Sequence, residues 1–207
     1  MASREARTGA PETAESVVLV VDDEPDVAAV TATYLERHLD DVAVVVESGA
    51  HRAIERLKDG VDCVVSDFEM PDIDGLELLR RIRDCDADIP FILFTARGSE
   101  EIASEAISAG VTDYLQKGVG TDQYAVLANR IDNAMARRES EAAAAETEAR
   151  YQRLLASSPH AVGVHDGDEL LFANERLHQI VGYDDAGSLE GRDPLSYVHE
   201  DDRDELA

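Results

Sequence analysis

From Val17 onward, short apolar runs alternate with amphipathic stretches in a regular order. The runs are VVLVV (17–21), VAVVV (42–46), DCVVS (62–66), PFILFT (90–95) and DYLQK (113–117), and each reads as a strand. Between them, apolar residues recur at helical spacing over about 26–38, 49–58, 74–84 and 99–109. Strand and helix in strict alternation are the pattern of repeated βα units, which predicts an α/β domain with a doubly wound, five-stranded parallel sheet. The fifth helix begins after Thr121, a plausible N-cap, and meets no Pro or Gly until Pro159, so it outlasts the domain. A seven-residue register from Leu127 passes through Ile131, Ala134, Arg138, Glu141, Ala145, Glu148, Gln152 and Leu155. Its polar middle leaves two readings open, an Ala-rich solvated helix or a signalling helix that pairs with a second copy. After SSP (157–159) the pattern changes to AVGVHD and ELLFAN flanking the turn DGD, followed by the short helix ERLHQIVG. The expected division is a disordered tail over 1–16, a first domain over 17–130, a linker helix over 131–156 and a small α+β segment over 157–207.

Composition narrows the partners. The chain has 207 residues, 44% of them hydrophobic, enough for one full domain and a smaller unit. Its formal net charge of −26 repels nucleic acid and anionic membrane at long range, so neither is expected as a partner. Among 19 basic residues only Lys58 and Lys117 are lysines, and this acidic, lysine-poor surface resembles proteins of salt-loving archaea. Cys63 and Cys85 are too few for a disulfide framework and are expected to be reduced. With no run of about eighteen apolar residues, a soluble cytoplasmic protein is expected.

The charge is also placed. In a parallel α/β sheet, residues at the carboxyl ends of different strands meet in a crevice where the strand order reverses. Asp22 and Asp23 end the first predicted strand, Asp67 the third, Thr95 the fourth and Lys117 the fifth. Three neighbouring carboxylates repel one another unless a cation neutralises them, and a hard divalent ion, Mg²⁺ before Ca²⁺, suits so few oxygen ligands. With the metal bound, one carboxylate can attack phosphorus to give an aspartyl phosphate, and Asp67, alone on the central strand, is the best nucleophile. Lys117 would neutralise developing charge and the Thr95 hydroxyl would donate to a phosphoryl oxygen. Taken singly, Asp22 to Asp26 also suit a helix N-terminus, Thr95 a strand and Lys117 a surface; Asp72 and Asp74 are read as turn and N-cap residues. Glu69 and Arg97, two residues beyond Asp67 and Thr95, are opposite in charge and could pair at the rim, across the path of attacking water.

On VDDEPD, SDFEMPDIDG, FTA and DYLQKG, residues 17 to about 130 resemble the receiver domain of two-component response regulators, which shares the flavodoxin-like sheet. The resemblance implies Asp67 as phosphoacceptor, Asp22 and Asp23 as Mg²⁺ acids with the Glu69 backbone carbonyl completing the shell, and Lys117 as phosphate-binding lysine. It implies Thr95 and Tyr114 as a switch pair and a histidine kinase as phosphodonor; a homodimer through the receiver and linker helix is a further expectation, from the helix register. Residues 151–207 resemble the first half of a PAS sensor domain on LLASSPHAVGVHD, LLFANERLHQIVGY with Asn174, Gly182 and Tyr183, and LEGRDPLSYVHEDDR, with Glu200 where that family commonly has proline. A half-domain predicts a fragment of a longer protein or a truncated product, with residues beyond about 155 poorly ordered unless they pack on the receiver or on a second copy.

Three rivals fit less well. A haloacid-dehalogenase phosphatase also uses an Asp nucleophile and Mg²⁺, but places it at the end of the first strand with a second Asp two positions on. A flavin or nucleotide module would carry a Gly-, Ser- or Thr-rich loop where DDEPD stands. A histidine kinase needs a phosphorylatable histidine on a helix, and His165 and His199 lie in turn or loop surroundings; His160 and His178 read as surface or packing residues rather than haem ligands.

Overall fold

In the computed structural model, β1 (Ser16–Val21), β2 (Val42–Glu47), β3 (Cys63–Ser66), β4 (Phe91–Thr95) and β5 (Asp113–Gln116) form one parallel sheet in the order β2-β1-β3-β4-β5. Residues 16–182 and 189–197 are described. The chain winds outward from β1 in one direction and from β3 in the other, so the reversal of strand order falls between these two strands. The helices α1 (Pro25–His38), α2 (Ala50–Arg56), α3 (Gly75–Arg83), α4 (Glu100–Ser108) and α5 (Asp122–Ala156) alternate with the strands.

Alternation along each strand divides the core in two. Leu19, Val21, Val64 and Leu93 pack with Leu76, Leu79, Ile82 and Ala106 of α3 and α4. Val18, Val20, Val65, Ile92 and Phe94 pack on the other face with Leu35 of α1 and Leu127, Ala128 and Ile131 of α5. Burial of both strand faces is why these runs are apolar throughout.

Local departures from the expected boundaries have identifiable causes. Ser16 belongs to β1 and not to the tail, because its N–H is held by the Asp41 carbonyl at 3.3 Å; residues 1–15 lie outside the described residues. α2 stops at Arg56 and tightens into a 3-10 turn over Leu57–Asp59, closed by Gly60 at φ 83°, a left-handed conformation that glycine adopts without a Cβ clash.

α5 runs unbroken for 35 residues. Leu127 and Ile131, the first positions of the seven-residue register, are buried in the core beside α1 and so are not available to a second copy. Every residue from Glu139 to Leu154 is exposed. No described helix is long and apolar enough to cross a membrane, and both cysteines are free, Cys63 buried and Cys85 exposed.

The chain divides into two units between Glu141 and Ala142. The C-terminal one holds an antiparallel hairpin of β6 (Gly163–His165) and β7 (Leu170–Ala173), the helix α6 (Glu175–Val181) and a 3-10 turn at Pro194–Tyr197. Asn174 organises it. Its Oδ1 accepts from Leu177 N–H at 3.0 Å, capping α6, and from Val162 N–H at 2.9 Å, while Nδ2 donates to the carbonyls of Leu155 and His160 at 3.1 and 2.9 Å. Tyr183, His199 and Glu200 lie outside the described residues.

Candidate functional site

Three strand ends bring Asp22, Asp67 and Lys117 into direct contact. β1 delivers Asp22 and β3 delivers Asp67, both nearly inaccessible to solvent, and β5 delivers Lys117. The Lys117 ammonium donates to Asp22 Oδ2 at 2.7 Å and to Asp67 Oδ1 at 2.6 Å. The second oxygen of each carboxylate is also used: Asp22 Oδ1 accepts from Glu24 N–H at 3.0 Å and Asp67 Oδ2 from Glu69 N–H at 2.7 Å. Asp22 is therefore turned into the crevice and does not cap α1, whose N-cap Glu24 makes no side-chain cap bond. Burial alone would lower the Lys117 pKa, but the hydrogen bonds and attraction of Asp22 and Asp67 outweigh it and leave it raised. The ammonium lies 5.7 Å from the centre of the Phe94 ring.

The surrounding residues hold this trio from the backbone. Thr95, almost fully buried, accepts Lys117 N–H on its carbonyl at 2.7 Å and Arg97 N–H on its hydroxyl at 3.2 Å. The Arg97 guanidinium pairs with the Glu69 carboxylate at the exposed rim, as their spacing beyond Thr95 and Asp67 suggests. Asp74 caps α3 by accepting from Glu77 N–H at 2.7 Å. Next to it, Gly75 is required by space: a Cβ there would sit 2.4 Å from the Asp67 carbonyl oxygen and 2.8 Å from Leu93 Cδ1. Tyr114 packs its ring against the core beside α4, and its buried hydroxyl has no hydrogen-bond partner.

The remaining expected residues are adjacent but not gathered. Asp23 is half-buried and makes no side-chain hydrogen bond among the described residues. No described group of three or more His, Cys, Asp or Glu side chains is arranged to hold a metal ion; Lys117 and two backbone N–H groups engage the four oxygens of Asp22 and Asp67. The donor chemistry still suits Mg²⁺. Three carboxylates against one ammonium leave a surplus of two negative charges, and all the donors are hard oxygens.

Comparison with known proteins identifies the family. The family model for the response regulator receiver domain matches residues 18–129, and a PAS domain model matches residues 149–207. The chain belongs to the response regulator receiver family, with a PAS segment following the receiver. It is 36% identical over 113 residues to the C4-dicarboxylate transport transcriptional regulatory protein DctD of Pseudomonas aeruginosa, covering 55% of this chain and 24% of that protein. It is 31% identical over 100 residues to the response regulator SaeR of Staphylococcus epidermidis, covering 48% of this chain and 43% of that one. The chain thus spans less than half the length of either relative. Among solved structures, a receiver domain from Clostridium thermocellum is 28% identical with a TM-score of 0.53, covering 60% of this chain and 97% of its own. A Francisella receiver domain is likewise 28% identical at a TM-score of 0.53, covering 59% and 98%. Receivers act in phosphorelay signalling rather than as ordinary metabolic enzymes, and family membership leaves the dehalogenase-type phosphatase without support.

Two site residues were not singled out from sequence. Gly75 carried a signal, standing directly after the capping Asp74 at the start of a helix. Gln123, whose amide bonds to the loop after Lys117, carried none, since a Gln in a first helical turn is unremarkable.

Proposed function

We propose that the receiver is phosphorylated on Asp67 by a phosphohistidine of a partner kinase. The observation that supports this most is the Lys117 ammonium bridging Asp22 and Asp67 at 2.7 and 2.6 Å in a buried crevice. A carboxylate oxygen of Asp67 attacks phosphorus in line with the scissile P–N bond. That bond breaks with its electron pair on the imidazole nitrogen, which takes up a proton, and the product is an acyl phosphate. Lys117, already within reach, shifts from carboxylate to phosphoryl oxygen, and the Thr95 hydroxyl can donate there while still accepting from Arg97 N–H. Asp22, Asp23, Asp67 and the Glu69 carbonyl would hold Mg²⁺, which when bound neutralises charge gathering on the phosphoryl oxygens.

Thr95 and Tyr114 act as the switch pair in this reading. Movement of the Thr95 hydroxyl toward the phosphoryl group changes the space beside β5, and the Tyr114 hydroxyl, buried without a partner, has a hydrogen bond to gain by moving. Output passes through protein contacts of the α5 helix and the PAS segment, with homodimerisation restricted to surfaces other than the buried Leu127 and Ile131. An acidic protein of this composition would work in the cytoplasm at high salt. Intact mass after incubation with acetyl phosphate and Mg²⁺ tests the reading. Wild type should gain one phosphoryl group and Asp67→Asn none; a fully labelled Asp67→Asn would move the phosphoacceptor elsewhere.

A further inference from the structure

Residues 118–121 join β5 to α5 at the surface, and Val119 projects wholly into solvent. Such a loop, with glycines at 118 and 120 and Gly120 at φ 104°, has wide conformational freedom. Yet it follows directly on Lys117, whose ammonium must be held to a fraction of an ångström. Upstream, Lys117 is fixed by its N–H to the Thr95 carbonyl at 2.7 Å. Downstream, the side-chain amide of Gln123 does the fixing: its oxygen accepts from Gly118 N–H, and its nitrogen donates to the Gly120 carbonyl at 2.9 Å.

We propose that Gln123 is a positioning residue for Lys117, its amide setting the peptide plane that follows the lysine and so aiming the ammonium at Asp22 and Asp67. The Lys117–Gly118 peptide unit is planar, so holding Gly118 N–H fixes the last free backbone torsion of Lys117. The acceptor oxygen does the holding of Gly118 N–H, and the amide nitrogen adds an anchor on the Gly120 carbonyl. The brace is itself rigidly mounted. Tyr124, the next residue, stacks on Tyr34 of α1 at 4.7 Å and 8° and meets Phe94 edge-on at 6.0 Å, and Phe94 is the ring beside the ammonium. The first turn of α5 thus reaches Lys117 indirectly by two routes, through the loop backbone and through Phe94.

The proposal rests on Lys117 serving phosphorylation at Asp67, but its test is independent of that chemistry. Lys58 and Lys117 are the only lysines; Lys58 is exposed, while the Lys117 side chain is 14% exposed. Acylation by a water-soluble amine reagent, mapped by peptide mass, therefore reads the Lys117 rate against Lys58 as internal reference. Gln123→Met keeps length and removes both hydrogen bonds, and should raise the ratio about fivefold. Gln123→Glu keeps the acceptor for Gly118 N–H and should hold the ratio near wild type. With acetyl phosphate and Mg²⁺, Gln123→Met should slow labelling at saturating donor several-fold more than Gln123→Glu. An unchanged ratio in Gln123→Met overturns the proposal. So does equal loss of protection in both variants, which would mean that the loop needs the whole residue to fold. Because the ratio is read without phosphodonor, a failure to label Asp67 and a failure here are separate results.

Discussion

The two units use the same kinds of apolar residue to different effect. In the receiver, β3 and β4 are buried on both faces, and side chains such as Leu19, Ile92 and Leu93 have no exposed surface at all. In the C-terminal unit β6 is exposed along its whole length, Leu171 and Ile180 are 57% and 63% exposed, and the buried apolar cluster among the described residues is Leu170, Ala173 and Leu189. A five-stranded sheet covered on both sides removes apolar area from water on every strand, whereas a two-stranded hairpin has little to pack against. What orders the hairpin is polar: the four hydrogen bonds of the buried Asn174 side chain tie the end of α5, the approach to β6 and the start of α6 together.

Paired truncations would break that contrast if it is wrong. Leu19→Ala should lower receiver stability by about 2–5 kcal/mol, the range for a large-to-small change in a packed core. Leu171→Ala, more than half exposed, should change thermal unfolding by less than about 0.5 kcal/mol. Hydrogen exchange on the same proteins should show strands 17–21 and 63–66 protected far beyond 163–173. Comparable protection in both units would mean that the hairpin is self-sufficient and the contrast false.

Somewhat smaller is the effect at Gly75. A methyl group there meets the carbonyl oxygen of Asp67, a backbone atom of the sheet and its exit loop, and so cannot be relieved by a rotamer change. Gly75→Ala should cost about 1–3 kcal/mol by overpacking and should slow Asp67 labelling as well. Gly49→Ala, with nothing within 4 Å of the added carbon, is the steric control: it should leave labelling unchanged and cost less than about 1 kcal/mol, for alanine at the N-cap of α2. If the two variants behave alike, the close approach of α3 to the Asp67 loop is not what glycine serves.

The receiver was legible because its signals are redundant. Each apolar run, each helical period and each strand-end polar residue points to the same βα repeat, so Asp67 and Lys117 can be placed 50 residues apart in sequence and together in space. Boundaries were less legible: Ser16 joins β1 through a bond to Asp41, and α2 gives way after Arg56 to a 3-10 turn that Gly60 closes, both decided by local backbone geometry. The grip of Lys117 on both acids also escaped, since sequence gives strand ends but not side-chain reach. The seven-residue register on α5 misled at its start, because Leu127 and Ile131 have the spacing of a helix seam and also that of a helix lying on a sheet. Only the sheet beside it decides between them.

Titration of the pocket sharpens the contrast from the electrostatic side. Lys117 has a folded pKa raised above the ordinary 10.5, so its contribution to stability is fully present below about pH 10.5 and is lost as pH rises from there through the folded value. Receiver stability should therefore fall above pH 10.5 more steeply in wild type than in Lys117→Met, while protection of the hairpin around Asn174, where no such ammonium is held, should be indifferent to that substitution. Equal slopes in both proteins would mean that the buried ion pairs leave no mark on stability.

The smallest expected effect concerns the rim pair of Arg97 and Glu69. Their side chains are 67% and 55% exposed, so water and salt screen the attraction, and exposed pairs contribute about 0–1 kcal/mol. The pair nonetheless spans the gap between the loop after β3 and the loop after β4, over the crevice that holds Asp67. Replacing both residues by alanine should leave thermal stability nearly unchanged but shorten the acyl-phosphate lifetime by up to about fivefold, the rate equivalent of 1 kcal/mol. Raising the salt concentration should shorten the wild-type lifetime toward that of the double variant, because screening weakens the pair without removing it. A lifetime that responds to neither change would leave Arg97 and Glu69 as two surface charges that happen to touch, and would assign control of hydrolysis to the buried residues alone.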